Sequence, residues 1–256
     1  MNLTGNTILI TGGGSGIGRG LAEAMHKLGN QVIIAGRRQH ALDETTAANP
    51  GMRSLQLDIE SPAAIRAFAT KVAADFPSLN VLINNAGIMR VEKLIAQQPD
   101  LADAEAIVTT NLLGPIRLTA ALLPQLQKQP HAAIINVSSG LAFLPLVFTP
   151  TYCATKAAIH SYTQSLRYQL KATTIEVLEL IPPYVATELM NGAKDARAMP
   201  LEQFIAEVMK ILKTHRAVTE ICVENVKRLR FAAESGQYDA VCSGFNDAMA
   251  ERSVSE

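Results

Sequence analysis

The sequence predicts an α/β protein built on one parallel, doubly wound β-sheet with helices on both faces. Two observations support this prediction: six short apolar segments recur along the chain, and most are followed by a stretch with the period of an amphipathic helix. Strands and helices that alternate in this way form right-handed βαβ units. The chain has 256 residues and no evident linker or repeat, so residues 1–256 are predicted to form a single domain.

The composition is that of a folded globular protein. Hydrophobic residues make up 48% of the chain and charged residues 18%, and 23 basic residues balance 23 acidic ones. This balance gives no indication of a nucleic-acid or anionic-membrane partner. No signal peptide or membrane span is predicted. Cys153, Cys222 and Cys242 have no metal-ligand spacing and form no disulfide framework, so we expect a cytoplasmic protein without a metal site.

The first predicted strand, Thr7–Thr11, leads into a glycine-rich turn and then into a helix from about Arg19. The glycines have the pattern Gly12-x3-Gly16-x-Gly18. Glycines let a backbone turn tightly and approach a pyrophosphate, whose negative charge the following helix N-terminus favours. The pattern therefore predicts a nucleotide site, although a tight connection in any α/β protein is the alternative interpretation.

The second predicted strand, residues 31–35, ends in Gly36-Arg37-Arg38. In a dinucleotide fold this end faces the adenine ribose, where an acidic residue would bind the 2′-hydroxyl of NAD. Two guanidinium groups would instead form charge-assisted hydrogen bonds with a 2′-phosphate. The pattern favours NADP over NAD, and two merely solvated arginines are the alternative.

The next strands end in polar or turn-forming residues, which lie where ligands bind in open α/β sheets. These strands are residues 53–57 before Asp58, 81–83 before Asn84-Asn85-Ala86-Gly87, 132–137 before Ser138-Ser139-Gly140, and 175–181 before Pro182-Pro183. Helices are predicted at residues 62–76, at 101–129 as two helices that meet near Asn111, at 152–171 and at 201–213. Residues 188–200 show no clear period and are predicted to be a substrate loop. Residues 220–256 are predicted as an atypical C-terminal segment, with one short strand and then helices divided near Gly236.

The helix predicted at residues 152–171 begins with Tyr152 and Lys156. Four residues apart on a helix, the two side chains share one face. A phenol beside an ammonium group is a poised proton donor, because the positive charge favours the phenolate. A half-buried tyrosine beside a solvated lysine is the alternative interpretation of this common pair.

Taken together, these residues resemble the short-chain dehydrogenase/reductase family, which has a Rossmann-type fold. The resemblance covers about residues 5–190. It rests on Thr11-Gly12-x3-Gly16-x-Gly18, Asp58, Asn84-Asn85-Ala86-Gly87, Asn111, Ser139 and Tyr152-x3-Lys156, which occur in family order and at family spacings.

The resemblance implies a catalytic set. Tyr152 would be the general acid in reduction and the base in oxidation. Lys156 would lower the pKa of this tyrosine and hold the nicotinamide ribose. Ser139, rather than Ser138, would hydrogen-bond the substrate oxygen, and Asn111 would hold a water that links Lys156 to solvent.

The resemblance also implies an NADP site, with NAD as the weaker alternative. Its residues would be Gly12, Gly14, Ser15, Gly16, Ile17 and Gly18 at the pyrophosphate, Arg37 and Arg38 at the 2′-phosphate, Asp58 and Ile59 at the adenine, Asn85, Ala86 and Gly87 at the adjoining ribose and nicotinamide side, Tyr152 and Lys156 at the nicotinamide ribose, and Val185 and Thr187 at the carboxamide. Pro183 stands where the family usually has glycine, so we expect a differently shaped loop there.

The function expected from the resemblance is NADP(H)-dependent hydride transfer between the nicotinamide and a carbonyl/alcohol substrate. A catalytically quiet cofactor-binding scaffold or redox sensor, or a non-redox lyase or epimerase on the same fold, are the alternatives. Apolar residues between positions 141 and 148 indicate a hydrophobic portion of the substrate, and packing against a second subunit is the alternative. The resemblance also suggests a homodimer through the helices of residues 101–129 and 152–171, and solvent-exposed helix faces are the alternative.

Overall fold

The computed structural model describes residues 1–93, 100–189, 195–215 and 217–253. Its centre is a seven-stranded sheet in which every neighbouring pair is parallel, in the order β3-β2-β1-β4-β5-β6-β7. The strands are β1 (Thr7–Thr11), β2 (Gln31–Gly36), β3 (Arg53–Gln56), β4 (Leu79–Asn84), β5 (Ala132–Val137), β6 (Ile175–Ile181) and β7 (Glu220–Cys222). The chain starts in the middle, winds out to β3, and returns to build the other half from β4. The predicted doubly wound parallel sheet is confirmed.

Helices connect these strands on both faces of the sheet. They are α1 (Gly16–Lys27), α2 (Gln39–Ala48), α3 (Pro62–Asp75), α4 (Ala102–Val108), α5 (Gly114–Leu126), α6 (Pro150–Gln169), α7 (Leu201–Thr214), α8 (Lys227–Arg230) and α9 (Tyr238–Ser253). Helix α2 was not predicted from the sequence. Only Leu42 and Thr45 of this helix are buried, so it lacks the apolar stripe that reveals a helix.

Alternate residues of the strands contribute to two separate hydrophobic cores, one on each face of the sheet. Ile8 and Ile10 face the core shared with α1 and α7, whereas Leu9 faces the core shared with α3, α5 and α6. Since both faces of the sheet are covered, the central strands are buried along their whole length. This accounts for the continuous apolar runs in the sequence.

Residues 102–126 are helical throughout and contain a π-helical turn at Thr109–Leu113 between α4 and α5. By length and composition alone this stretch could cross a membrane. Leu118, Leu122 and Leu126, however, are fully buried in the core against the sheet. We therefore interpret the stretch as a core helix.

The C-terminal segment folds back onto the body of the protein. The predicted short strand is β7, and the predicted division near Gly236 is confirmed, since that residue has a φ of +70° between α8 and α9. Helix α9 presents Val241 and Phe245 to the body of the protein, while most of its remaining described side chains are exposed. The last three residues, 254–256, lie outside the described part of the chain.

Candidate active site

The glycine turn after β1 has a backbone that side chains would obstruct. Gly12 and Gly16 have φ values of +68° and +51°. A Cβ on Gly18 would lie 2.3 Å from the carbonyl oxygen of Gly12. Ser15 occupies the N-cap of α1 without making a side-chain cap hydrogen bond, so the protein leaves the helix N-terminus open to an anion. This turn fits the pyrophosphate of a dinucleotide, which is the group that the sequence predicts there.

A surface cleft runs along the glycine turn. Of the two arginines predicted to bind the 2′-phosphate, Arg38 lines this cleft and Arg37 does not. The Arg38 guanidinium donates to Ser15 Oγ at 2.9 Å and lies 3.5 Å from a carboxylate oxygen of Glu188. Arg37 is paired instead with Glu60, at 2.6 Å. The structure thus separates two residues that the sequence analysis treated alike: Arg38 contacts the phosphate-binding turn and Arg37 contacts the segment after β3.

The ends of β3 and β4 lie at the same edge of the parallel sheet as the glycine turn. Asp58 Oδ1 accepts from the backbone N–H of Glu60 at 3.1 Å, and Ile59 is buried. Asn85 Nδ2 donates to the Thr11 carbonyl oxygen at 2.9 Å, and the N–H of Ala86 donates to Thr11 Oγ1 at 3.1 Å. Asn85 and Ala86 therefore join the end of β4 to the start of the glycine turn.

The four predicted catalytic residues lie together at the carboxyl edge of the sheet. Their exposed fractions are 2% for Asn111, 8% for Ser139, 7% for Tyr152 and 5% for Lys156. The Lys156 Nζ donates to the Val137 carbonyl oxygen at 2.8 Å and lies 5.5 Å from the centre of the Tyr152 ring. The structure thus brings the phenol and the ammonium group together, as the helical spacing predicts.

Asn111 occupies the π-helical turn, an irregularity that is frequent at functional sites. Its Oδ1 accepts from the N–H of Ile88 and its Nδ2 donates to the Ile88 carbonyl oxygen, both at 2.8 Å. A Cβ placed on Gly87 would lie 3.3 Å from Asn111 Oδ1 and 3.8 Å from Lys156 Nζ. Asn111 and Lys156 therefore both lie close to Gly87, where even a Cβ would press tightly on the Asn111 side chain.

Burial dominates the acidity of the pair. It raises the pKa of Tyr152 to about 12, and a hydrogen bond with Ser139 opposes only part of this shift. Burial also lowers the pKa of Lys156 to about 8, against the opposing field of Glu179. Burial of the phenol sets the net direction of the shift, so the role expected for Lys156, to lower the pKa of Tyr152, stays a prediction.

The segment after β6 is held against the last residues of the predicted substrate loop, 188–200. Val185 is buried and forms an isolated bridge with Met199, whose N–H donates to the Tyr184 carbonyl oxygen at 2.9 Å. The Thr187 side chain lies 3.3 Å from where a Cβ on Gly16 would be. Thr187 therefore lines the cleft beside the glycine turn. Residues 190–194 of the predicted substrate loop lie outside the described residues.

Comparison with known proteins identifies the family. The family model for short chain dehydrogenases matches residues 6–198. The chain belongs to the short-chain dehydrogenase family. An uncharacterized oxidoreductase of Bacillus subtilis, DltE, is 39% identical over 251 residues, which are 96% of this chain and 98% of the relative.

Two further relatives agree with this assignment. The NADP-dependent 3-hydroxy acid dehydrogenase YdfG of Shigella flexneri is 32% identical and covers 72% of this chain and 75% of its own. A short-chain dehydrogenase from Sphingobium yanoikuyae, solved in complex with NADPH, has a TM-score of 0.77 and 26% identity over 93% of this chain and 95% of its own. This short-chain dehydrogenase is accordingly an NAD(P)-dependent oxidoreductase with a Rossmann-type fold.

Two features of this short-chain dehydrogenase were missed from the sequence. The first is Glu179, a fully buried carboxylate within β6. Two acids, Glu176 and Glu179, interrupt the apolar run of β6, and only the structure shows that Glu179 is the buried one. The second is the position of α9: a helix was predicted there, but not that its Phe245 and Met249 pack against the cluster that contains Tyr152. Their four-residue spacing indicated an apolar helix face, but no local pattern could show which surface that face covers.

Proposed function

We propose that this short-chain dehydrogenase transfers a hydride between NADP(H) and a carbonyl/alcohol substrate, with Tyr152 as the proton donor and acceptor. The observation that supports this most directly is the burial of Asn111, Ser139, Tyr152 and Lys156 around one point at the carboxyl edge of the sheet. The phosphate-binding turn opens at the same edge, so a bound dinucleotide would extend from one set of residues to the other.

Each residue has a separate role in the proposed reaction. When bound, NADPH supplies the hydride. The Ser139 hydroxyl hydrogen-bonds the substrate oxygen and stabilises the charge that develops on it. Tyr152 donates its phenolic proton to that oxygen, and its raised pKa keeps the phenol in the protonated form that reduction requires. Lys156 holds the nicotinamide ribose and returns a proton to the Tyr152 phenolate, and Asn111 holds a water through which Lys156 is itself reprotonated from solvent.

Several observations support NADP as the cofactor. Arg38 lines the cleft and reaches Ser15 beside the N-terminus of α1, where a 2′-phosphate would meet both a guanidinium and a hydroxyl. No acidic residue occupies positions 36–38. The name of the YdfG relative and the NADPH in the Sphingobium structure agree with this proposal.

The surroundings of Tyr152 support a substrate with an apolar group. Ile88, Leu141 and Phe148 pack against its cluster, and so do Phe245 and Met249 from α9. Helix α9 is also attached to the loop before α6, because the Asn246 side chain accepts from the N–H of Val147 at 2.9 Å and donates to the Pro145 carbonyl oxygen at 3.1 Å. We therefore propose that α9, together with the loop of residues 188–200, forms the substrate side of the site.

Replacing Phe245 with alanine is expected to raise the KM for phenylpropanedione, an aromatic diketone, by about tenfold, because the variant removes apolar surface that contacts the phenyl group. The KM for diacetyl, which has no phenyl group, should change less than about twofold. Both are measured by NADPH oxidation. The control is Phe231→Ala, since Phe231 is 41% exposed and lies outside the cluster. An equal rise in KM for both diketones would contradict an apolar contact by Phe245.

We also propose that the protein is a cytoplasmic homodimer formed through the outer faces of α5 and α6. Tyr168 near the end of α6 is 71% exposed, an unusual fraction for a large aromatic side chain. Sedimentation equilibrium is expected to give a dimer, and Tyr168→Glu is expected to weaken its association at least tenfold. A monomer in the wild-type protein would refute the proposal.

A further inference from the structure

A carboxylate that the proposed reaction does not use lies beneath the candidate active site. The side chain of Glu179 points into the protein from β6 and has no exposed surface. A buried charge costs several kcal/mol unless it is paired and hydrogen-bonded. The partners of Glu179 therefore show what holds this charge in place.

Both hydrogen-bond partners of Glu179 lie next to the groups that hold Lys156. Ser138 Oγ donates to one carboxylate oxygen at 2.5 Å, and His160 Nδ1 lies 2.8 Å from the other. Ser138 directly follows Val137, whose carbonyl oxygen accepts from Lys156 Nζ. His160 lies one helical turn beyond Lys156 on α6. Glu179 thus connects the strand and the helix between which the Lys156 ammonium group is held.

The remaining charges around Glu179 are balanced among themselves. His160 of α6, Glu179 of β6 and Glu220 of β7 have possible metal-ligand atoms within 4.8 Å of one another, which is compatible with a metal site. The Arg230 guanidinium, however, already pairs with Glu220 through Nε at 2.7 Å and Nη2 at 3.1 Å. Cys222 is the other titratable group of β7 that Glu179 influences, and burial raises its pKa to about 11. Glu179 is therefore the carboxylate of this cluster that acts on Lys156.

We propose that Glu179 is a positioning residue that keeps Lys156 in place and protonated by binding Ser138 on one side and His160 on the other. The proposal rests on the proposed function, in which the Lys156 ammonium group holds the nicotinamide ribose. Glu179 touches neither cofactor nor substrate and acts through Lys156 alone.

The direction of the expected effect follows from the charges. Burial lowers the pKa of Lys156 and the Glu179 carboxylate raises it. Glu179→Gln removes the negative charge of Glu179 and keeps the shape of the side chain. Burial then lowers the pKa of Lys156 without opposition, so Lys156 loses its proton at a lower pH. One nearby charge typically moves a pKa by about one unit or more.

The test is the dissociation constant of NADPH, measured by fluorescence titration between pH 6.5 and pH 9.5. In the wild-type protein we expect binding to weaken as the pH rises through about 8, where Lys156 loses its proton. In Glu179→Gln, whose amide can still accept from Ser138 and donate to His160, the same weakening is expected about one pH unit lower. At pH 7.5 the variant should therefore bind NADPH several-fold more weakly than the wild type.

Matched variants separate charge from packing. Ser138→Ala removes one hydrogen bond but keeps the carboxylate, so its transition should stay at the wild-type pH, while NADPH binds more weakly at every pH because Lys156 is less firmly positioned. Glu220→Gln removes a neighbouring charge that Arg230 already balances and should leave both the transition and the affinity unchanged. An unshifted transition in Glu179→Gln, or an equal shift in all three variants, overturns the proposal. If Glu179→Gln does not fold, His160→Phe provides the second test: at least threefold weaker NADPH binding at pH 7.5 is expected, and unchanged binding overturns the proposal.

The same titration distinguishes a failure of the Glu179 inference from a failure of the proposed function. The fluorescence titration requires cofactor binding but no turnover. If the wild type binds NADPH and reduces neither diketone, the choice of substrate fails while the Glu179 result stands. If the wild type is active and the Glu179→Gln transition does not move, the inference fails while the proposed function stands.

Discussion

Replacing Tyr152 with phenylalanine is expected to lower kcat for the NADPH-dependent reduction of phenylpropanedione by about 10³-fold, since a positioned general acid contributes roughly 10² to 10⁴ in rate. The phenylalanine ring keeps the packing against the surrounding apolar cluster and removes only the proton donor. Steady-state kinetics at pH 7 measures the loss. The affinity for NADPH should change by less than about threefold, because the hydroxyl would make only one of many contacts with the cofactor.

The matched control is Tyr162→Phe on the same helix. Tyr162 packs against the core beneath α6 rather than at the site, so its variant should keep at least about half of the wild-type kcat. If Tyr152→Phe retained substantial kcat while Tyr162→Phe lost it, the assignment of the proton donor would be wrong. If both variants bound NADPH normally and were fully active, a role for either phenol would be excluded.

Replacing Arg38 with alanine is expected to weaken NADPH binding by about 10- to 100-fold and to change NADH binding by less than about twofold. The variant removes a charge-assisted contact that only the 2′-phosphate can make. The guanidinium is already held in the cleft by Ser15 at 2.9 Å, so little side-chain freedom would be lost when the phosphate binds. Fluorescence titration with each cofactor measures the ratio of the two affinities.

Arg37→Ala is the control for this measurement. Arg37 is paired with Glu60 and does not line the cleft, so its loss should change NADPH affinity by less than about threefold. A larger effect for Arg37 than for Arg38 would mean that the Glu60 pair opens when the cofactor binds. If NADH bound the wild-type protein as tightly as NADPH, the argument for NADP would be wrong, and alcohol oxidation with NAD would be tested next.

Much of the fold could be predicted from the sequence, because its regular elements leave strong patterns. The strands are buried on both faces and therefore read as continuous apolar runs. The glycine turn is equally visible, since its positive φ values and close contacts admit no other residue easily. Helix α2 escaped prediction for the opposite reason: with only two buried residues, it owes little of its stability to an apolar stripe.

The candidate site could be predicted only as far as local spacing reaches. The helical spacing of Tyr152 and Lys156 places both on one face, and the structure shows the ammonium group 5.5 Å from the ring centre. The acidity of the pair could not be inferred in this way. Desolvation depends on everything packed around the phenol, and the cluster that contains Tyr152 is packed against Phe245 and Met249 from a helix about ninety residues further along the chain.

The sequence by itself therefore determined the fold class, the phosphate-binding turn and the residue types of the site, since these depend on neighbours within a turn or a few residues. Only the tertiary structure decided that Arg38 rather than Arg37 lines the cleft, that α9 packs against the cluster that contains Tyr152, and that Glu179 is bound by Ser138 and His160. These outcomes depend on burial and on charges brought together from distant segments. Burial and electrostatic fields are properties of the packed chain as a whole, and no short stretch of sequence encodes them.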